Sequence, residues 1–193
     1  SKRGSTGLPA LHCQVRVVDD AGHELPVGAE GEILIKGPNV MFEYWGNEAA
    51  TAEALRGGWY HTGDKGYLAG GELYVMGRTK DLIINAGKNV YPQDIDAVVN
   101  EIEGIHAGRA VAFGVPDERE GTELIAVVAE VDSDDAALHK HLKREVRQQV
   151  GRATDVTVAY VTLVGPGWLI KTSSGKIARV ANRDKWLTEN KQS

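Results

Sequence analysis

The residue types capable of chemistry fall in a few short segments. In Trp59-Tyr60-His61-Thr62-Gly63-Asp64 a carboxylate follows a Thr-Gly pair that reads as a turn. An ionised carboxylate accepts several hydrogen bonds, so Asp64 can hold a diol such as that of a ribose; it can equally be a turn aspartate bonding its own backbone. In Gly77-Arg78-Thr79-Lys80-Asp81 the planar fork of Arg78 can grip an anion, or the cluster is a solvated linker between two regions. Gly87, in Ala86-Gly87-Lys88-Asn89-Val90-Tyr91-Pro92, marks either a hairpin turn with positive φ or a close approach of another molecule to the backbone. Lys171-Thr172-Ser173-Ser174-Gly175-Lys176-Ile177 is a small polar loop with a lysine at its tip. Such a loop can present an ammonium to a phosphate or carboxylate, or it is simply a flexible surface loop. It is not a nucleotide P-loop, because Ile170 stands where that motif needs its first glycine and Ile177 where it needs Ser or Thr.

Other chemistries find little support. The six histidines show no metal-ligand spacing, and His139 and His141, two apart, point to different faces of a helix. Cys13 is the only cysteine, which rules out a zinc cluster and an internal disulfide. Ser173 and Ser174 have no histidine near them in sequence to complete a hydrolase triad.

Two patterns meet near residue 80. Before it, short apolar runs alternate with glycine turns: a strand at 13–18, another at 32–36, a short alanine-rich helix at 47–55, and a hairpin at 65–77 turning on Gly70-Gly71. After it, helices and strands alternate. Ile95, Val98, Val99 and Ile102 form an amphipathic stripe, opened by Pro92 and closed by Gly104. Strands are expected at 107–115, 123–131 and 156–164. A second helix carries Leu138, Leu142, Val146 and Val150, with Asp134 and Asp135 in its first turn and Gly151 at its exit. A polar helix is expected at 178–187. The fold class is therefore α+β: a small β-rich, barrel-like subdomain at 1–79, then a compact domain at 80–193 with two helices on one face of its strands.

The 193 residues are 42 % hydrophobic with a net charge of −5, so no basic field draws the chain to nucleic acid or an anionic membrane. No apolar run approaches the roughly 20 residues of a membrane span. The first residues have no signal-peptide core and read as mid-protein sequence. With a lone cysteine, this fits a reducing cytoplasm.

In order and at compatible spacing, these segments resemble the C-terminal motifs of the acyl-adenylate-forming superfamily, which includes acyl-CoA synthetases, fatty acyl-AMP ligases, adenylation domains and luciferases. The similarity begins at Gly31-Glu32-Ile33-Leu34-Ile35-Lys36-Gly37-Pro38 and Tyr44-Trp45. It continues through Tyr60 to Asp64, Gly77 to Ile83 and Gly87 to Pro92, and ends at Thr172 to Lys176. It implies that Asp64 binds the ribose hydroxyls of ATP, Arg78 the ribose and phosphate region, and that Val75 lies near the adenine. It implies that Lys80 is a hinge, and that the Gly87 loop faces the pantetheine thiol of CoA or a phosphopantetheine. Lys176 would be the catalytic lysine, bridging the substrate carboxylate and the α-phosphate.

The superfamily's phosphate loop, its Tyr-Gly-x-Thr-Glu motif and its acyl pocket are absent here. The resemblance therefore implies a large N-terminal domain before residue 1, with the Mg ligands outside this chain. Residues 1–79 would complete that domain, residues 80–193 would be a mobile lid, and this chain alone would not catalyse adenylation. The implied activity is a ligase making acyl-AMP from a carboxylic acid, taken as a fatty acid, and passing it to CoA. Two alternatives stay open: transfer to acyl carrier protein, suggested by Lys88-Asn89-Val90-Tyr91-Pro92, and a non-catalytic module that docks a carrier.

Overall fold

The computed structural model describes residues 4–117, 119 and 121–190. The chain forms two compact units, one running to Lys80 and the other starting at Asp81. A single 3-10 turn, Thr79–Asp81, spans the boundary.

The first unit is a curled antiparallel sheet, half of a barrel, made of β1 (Gln14–Val18), β2 (Gly31–Lys36), β3 (Leu55–Arg56), β4 (Trp59–Ala69) and β5 (Glu72–Arg78). The long β4 is its spine: β2 pairs along one edge, while β3 and then β5 share the other. Helix α1 (Glu48–Ala54) precedes β3, and the Asn47 side chain caps it by accepting from the Ala50 N–H at 3.0 Å. Val17, Val18, Ile33 and Leu34 are buried on this sheet. Gly66 is needed where strands cross closely, since a Cβ there would fall 2.3 Å from the Tyr74 carbonyl oxygen.

Thr62-Gly63 is not the turn that its composition suggests. Both residues lie inside β4, and three residues, Thr62 to Asp64, stand opposite the single Ile33 of β2. The glycine supplies the left-handed backbone of a bulge (φ 69°), and the Thr62 hydroxyl donates to the Ile33 carbonyl at 2.7 Å.

The second unit opens with the hairpin β6 (Ile83–Asn85) and β7 (Lys88–Val90), followed by α2 (Pro92–Asn100). Strands β8 (Ala110–Asp117) and β9 (Thr122–Glu130) are antiparallel; α3 (Ala136–Thr154) then crosses over to β10 (Val158–Val164), parallel to β9. Alternation along the strands divides the core. Ala110, Ala112, Ile125 and Val127 pack with Ile95 and Val99 of α2 and with Leu142, Val146 and Val150 of α3. Val111, Phe113, Ala126 and Val128 face the other way, onto Leu169 and Trp186. Each fully buried Val, Leu or Ile contributes roughly 1.5–3 kcal/mol.

Three details differ from the expected pattern. The sheet is covered on both faces, because α4 (Arg179–Asn190) brings Trp186 edge-on to Phe113 at 5.8 Å on the face opposite α2 and α3. Asp135 is the N-cap of α3, not part of its first turn; its side chain accepts from the Ala137 N–H. Gly151 lies within α3, which ends at Thr154 with Asp155 left-handed at φ 54°. A helical glycine costs only about 1 kcal/mol against alanine, too little to stop a helix whose apolar stripe is fully docked.

Candidate functional site

Within the first unit, Asp64 and Arg78 come together across the β4–β5 pair. They are Cα partners, and the Arg78 Nε lies 3.3 Å from Asp64 Oδ1. Both side chains remain partly open to solvent, so the pair is worth less than about 1 kcal/mol and is readily exchanged for a ligand. A carboxylate beside a guanidinium suits a ribose diol next to a phosphate. Arg78 and the exposed Lys80 line a cleft of ≈ 510 Å³ together with Tyr44, Tyr60 and His61. Hydrogen bonding to Tyr44, then burial, holds the Tyr60 phenol above its ordinary value. His61 Nδ1 lies 3.0 Å from Glu32 Oε2 and 2.9 Å from Arg56 Nη2. It can donate to the carboxylate or accept from the guanidinium, not both at once. Val75 is half-buried on β5, opposite Gly66.

In the second unit, Gly87 forms the tip of the β6–β7 hairpin. Ala86 and Gly87 are both left-handed, with φ 48° and 77°, the pattern of a two-residue type I′ turn. The strained Ala86 is held from β9: its N–H donates to Thr122 Oγ1 at 2.8 Å. The Ile84 N–H donates to Glu123 Oε2 at 2.8 Å, and Asn85 Nδ2 donates to the Glu123 carbonyl at 2.7 Å. Gly87 itself is exposed.

Lys176 is exposed on the loop between Lys171 and Ile177, which pair as an isolated bridge. The Thr172 N–H donates to the Lys176 carbonyl at 2.7 Å, and the Lys176 N–H donates to Thr172 Oγ1 at 3.2 Å. The base of this loop is anchored twice. Asn182, fully buried on α4, accepts from the Ile170 N–H at 2.8 Å and donates to the Ile170 carbonyl at 2.9 Å. Arg179 donates to Asp96 Oδ2 at 2.8 Å and to the Ala112 carbonyl, and lies 3.7 Å from Asp81 Oδ2.

The Asp96 carboxyl is held above the ordinary 3.8, chiefly by burial, with Arg179 and the Ala112 N–H pulling the other way. A carboxyl that binds its proton more tightly in the folded than in the unfolded chain makes stability fall as pH rises through the window above that value. Asp96→Asn removes this titration. Urea unfolding from about pH 4 to about pH 7 should therefore show the variant gaining stability relative to the parent chain as pH rises. A difference that stays constant with pH would mean that Asp96 titrates alike in both states.

The sequence model of the AMP-binding enzyme C-terminal domain matches residues 87–184. The chain belongs to the AMP-binding enzyme family. A second model, described as AMP-binding enzyme, matches residues 1–45. Among curated relatives, an indoleacetate–CoA ligase from Aromatoleum aromaticum is 44% identical over 132 residues, covering 68% of this chain and 26% of the relative. A 4-hydroxyphenylalkanoate adenylyltransferase from Mycobacterium tuberculosis is 37% identical over 192 residues, 90% of this chain and 30% of the relative. Among solved structures, McyG A-PCP complexed with phenylalanyl-adenylate superposes with a TM-score of 0.86 at 29% identity, covering 100% of this chain and 30% of that one. A structure from studies of fatty acyl-adenylate ligases of E. coli and L. pneumophila gives 0.81 at 32% identity, covering 94% and 32%. The chain thus spans only 26% and 30% of the length of the two curated relatives named.

Family motifs bring forward Asp64, Arg78, Gly87 and Lys176 but not the groups that brace the Gly87 turn, the Lys176 loop and His61. Thr122, Glu123, Asp96 and Arg179 stand outside any local pattern, and Glu32 reaches His61 across 29 positions. Among the described residues, no helix is long and apolar enough to cross a membrane.

Proposed function

We propose that this chain is the C-terminal portion of an ATP-dependent acid–thiol ligase, which joins a carboxylic acid to AMP and then to the thiol of CoA. The carrying observation is the match of residues 87–184 to the AMP-binding enzyme C-terminal domain, within which Lys176 stands exposed on an anchored loop. In this reading residues 1–79 complete a large N-terminal domain, and residues 80–193 are a mobile lid turning at Lys80. The larger domain supplies the phosphate loop, the Mg ligands and the acyl pocket, so the 193-residue chain alone does not adenylate. The setting proposed is the cytoplasm.

The proposed roles are those the family resemblance implies, and the charges present support them. Asp64 accepts from the ribose hydroxyls and Arg78 faces the ribose and phosphates, with Val75 against the adenine. A carboxylate and a phosphate repel as they meet, and the Lys176 ammonium offsets that repulsion where charge develops. AMP is a better leaving group than oxide, so the thiol can attack in the second step. For that step the lid turns, and the Gly87 turn replaces Lys176 beside the pantetheine.

The acid is proposed to be apolar. A fatty acid fits the fatty acyl-adenylate ligases, and an aryl acid fits the relatives named for indoleacetate and 4-hydroxyphenylalkanoate. Transfer to acyl carrier protein is the second reading, suggested by the Lys88-Asn89-Val90-Tyr91-Pro92 segment.

The test uses the full-length enzyme with ATP and a panel of fatty and aryl acids, with CoA or holo-carrier protein as acceptor. AMP release with a CoA thioester is the expected result. Adenylate formation with transfer only to the carrier would favour the second reading. No adenylate with any acid would leave a non-catalytic docking module.

A further inference from the structure

We infer that Arg179 is a positioning residue that fixes the exit of the Lys176 loop against α2 and β8, with a looser attraction to the segment following the hinge; this rests on the roles proposed above for Lys176 and Lys80. Arg179 is the first residue of α4, three positions beyond Lys176. Its side chain is only 16% exposed, yet it reaches three elements of its unit. It bonds Asp96 on α2 and the Ala112 carbonyl on β8, and its Nε points toward Asp81, the residue after Lys80. Asp96 in turn accepts from the Ala112 N–H at 2.6 Å, so strand, helix and loop exit are tied in one ring of contacts.

Stability alone does not call for this arrangement. Apolar residues of similar volume commonly replace a buried ion cluster without loss, because taking charges out of water costs about as much as their attraction returns. Trp186 and Asn182 already dock α4 on the sheet and on Ile170. What Arg179 adds is direction: a planar fork with two anchored donors fixes where α4 begins, and hence where the preceding loop leaves the sheet. The contact to Asp81 is looser. Among the described residues the buried Nε has no hydrogen-bond partner, and Asp81 Oδ2 lies beyond hydrogen-bond distance at 3.7 Å. Asp81 is thus attracted to the strap without being locked to it, and can follow a change at the preceding residue.

The experiment compares Arg179→Lys, Asp81→Asn and Lys176→Ala in the full-length enzyme, measuring adenylation and transfer from preformed acyl-adenylate separately. Amide hydrogen exchange of residues 171–178 is followed in the 193-residue chain. A reacting group misplaced by about 1 Å can cost on the order of 10²-fold, so Arg179→Lys should slow adenylation about tenfold or more. Thiol transfer should fall much less, and exchange should quicken in the loop but not in α3. A merely structural defect would lower both half-reactions by the same factor. Equal losses, or unchanged loop exchange in a folded variant, would overturn the inference.

If Arg179→Lys does not fold, Asp81→Asn, which keeps the Asp96 and Ala112 bonds and loses only the looser attraction, should show the same preferential loss of adenylation and the same quickened loop exchange at a smaller size. If Lys176→Ala leaves adenylation intact, the functional reading fails, and with it the catalytic part of this inference. Faster loop exchange in Arg179→Lys would then mark the strap as holding a loop with no part in adenylation.

Discussion

Lys176→Ala is expected to slow adenylation in the full-length enzyme by roughly 10²- to 10³-fold while leaving the fold almost untouched. The loop that carries Lys176 is exposed throughout residues 171–176, and its internal bonds run through Thr172, Ser174 and backbone groups, not through the ammonium. Truncating an exposed side chain away from caps and cores changes stability by no more than about 0.5 kcal/mol. At the reacting centre the balance is different. A positioned donor aimed at developing charge is worth roughly 3–4 kcal/mol, because it acts where water has been displaced and costs no reorganisation. The second half-reaction, started from preformed acyl-adenylate, should change far less, since in the proposed mechanism Lys176 is by then turned away. Rapid quench of each half-reaction separates the two. Adenylation at near the wild-type rate would reduce Lys176 to a surface residue and remove the central assignment.

What could be read from the sequence was what depends on neighbours in the chain. Pro92 and the stripe at Ile95 and Val99 define α2 because helix entry and amphipathicity are local properties. Gly70-Gly71 marks its hairpin for the same reason. The pairing beyond that turn was not legible. Counting outward from it places Gly77 opposite Asp64. In the structure Arg78 takes that place, because one extra residue, Met76, bulges between the Gly66–Val75 and Lys65–Gly77 partners. The contact between Asp64 and Arg78 thus depends on a one-residue irregularity that composition does not announce. Arg179 and Asp96 are 83 positions apart, and nothing local to either names the other. The opposite error came from over-trusting local signals: Gly63 and Gly151 looked like breaks, but one sits in a bulged strand and the other inside a docked helix.

Lys80→Pro should impair one half-reaction at least about tenfold more than the other, a difference of about 1.4 kcal/mol in activation free energy. Lys80 is exposed in the 3-10 turn Thr79–Asp81, so its side chain contributes little to either unit's core. Proline fixes φ near −65°, which lies within the range of a 3-10 turn, so the ring itself is tolerated there. The constraint falls on movement. The ring holds φ at residue 80 and removes its N–H, so an orientation needing a different φ there becomes inaccessible. A ligase that must turn its lid between adenylation and thiol transfer then keeps one step and loses much of the other. Lys80→Ala is the control: it removes the same ammonium but leaves φ free, and it should slow the two steps by similar, small factors. If Lys80→Pro folds cooperatively and both half-reactions fall together, the turn at Lys80 is a plain linker, and the lid must rotate elsewhere or not at all.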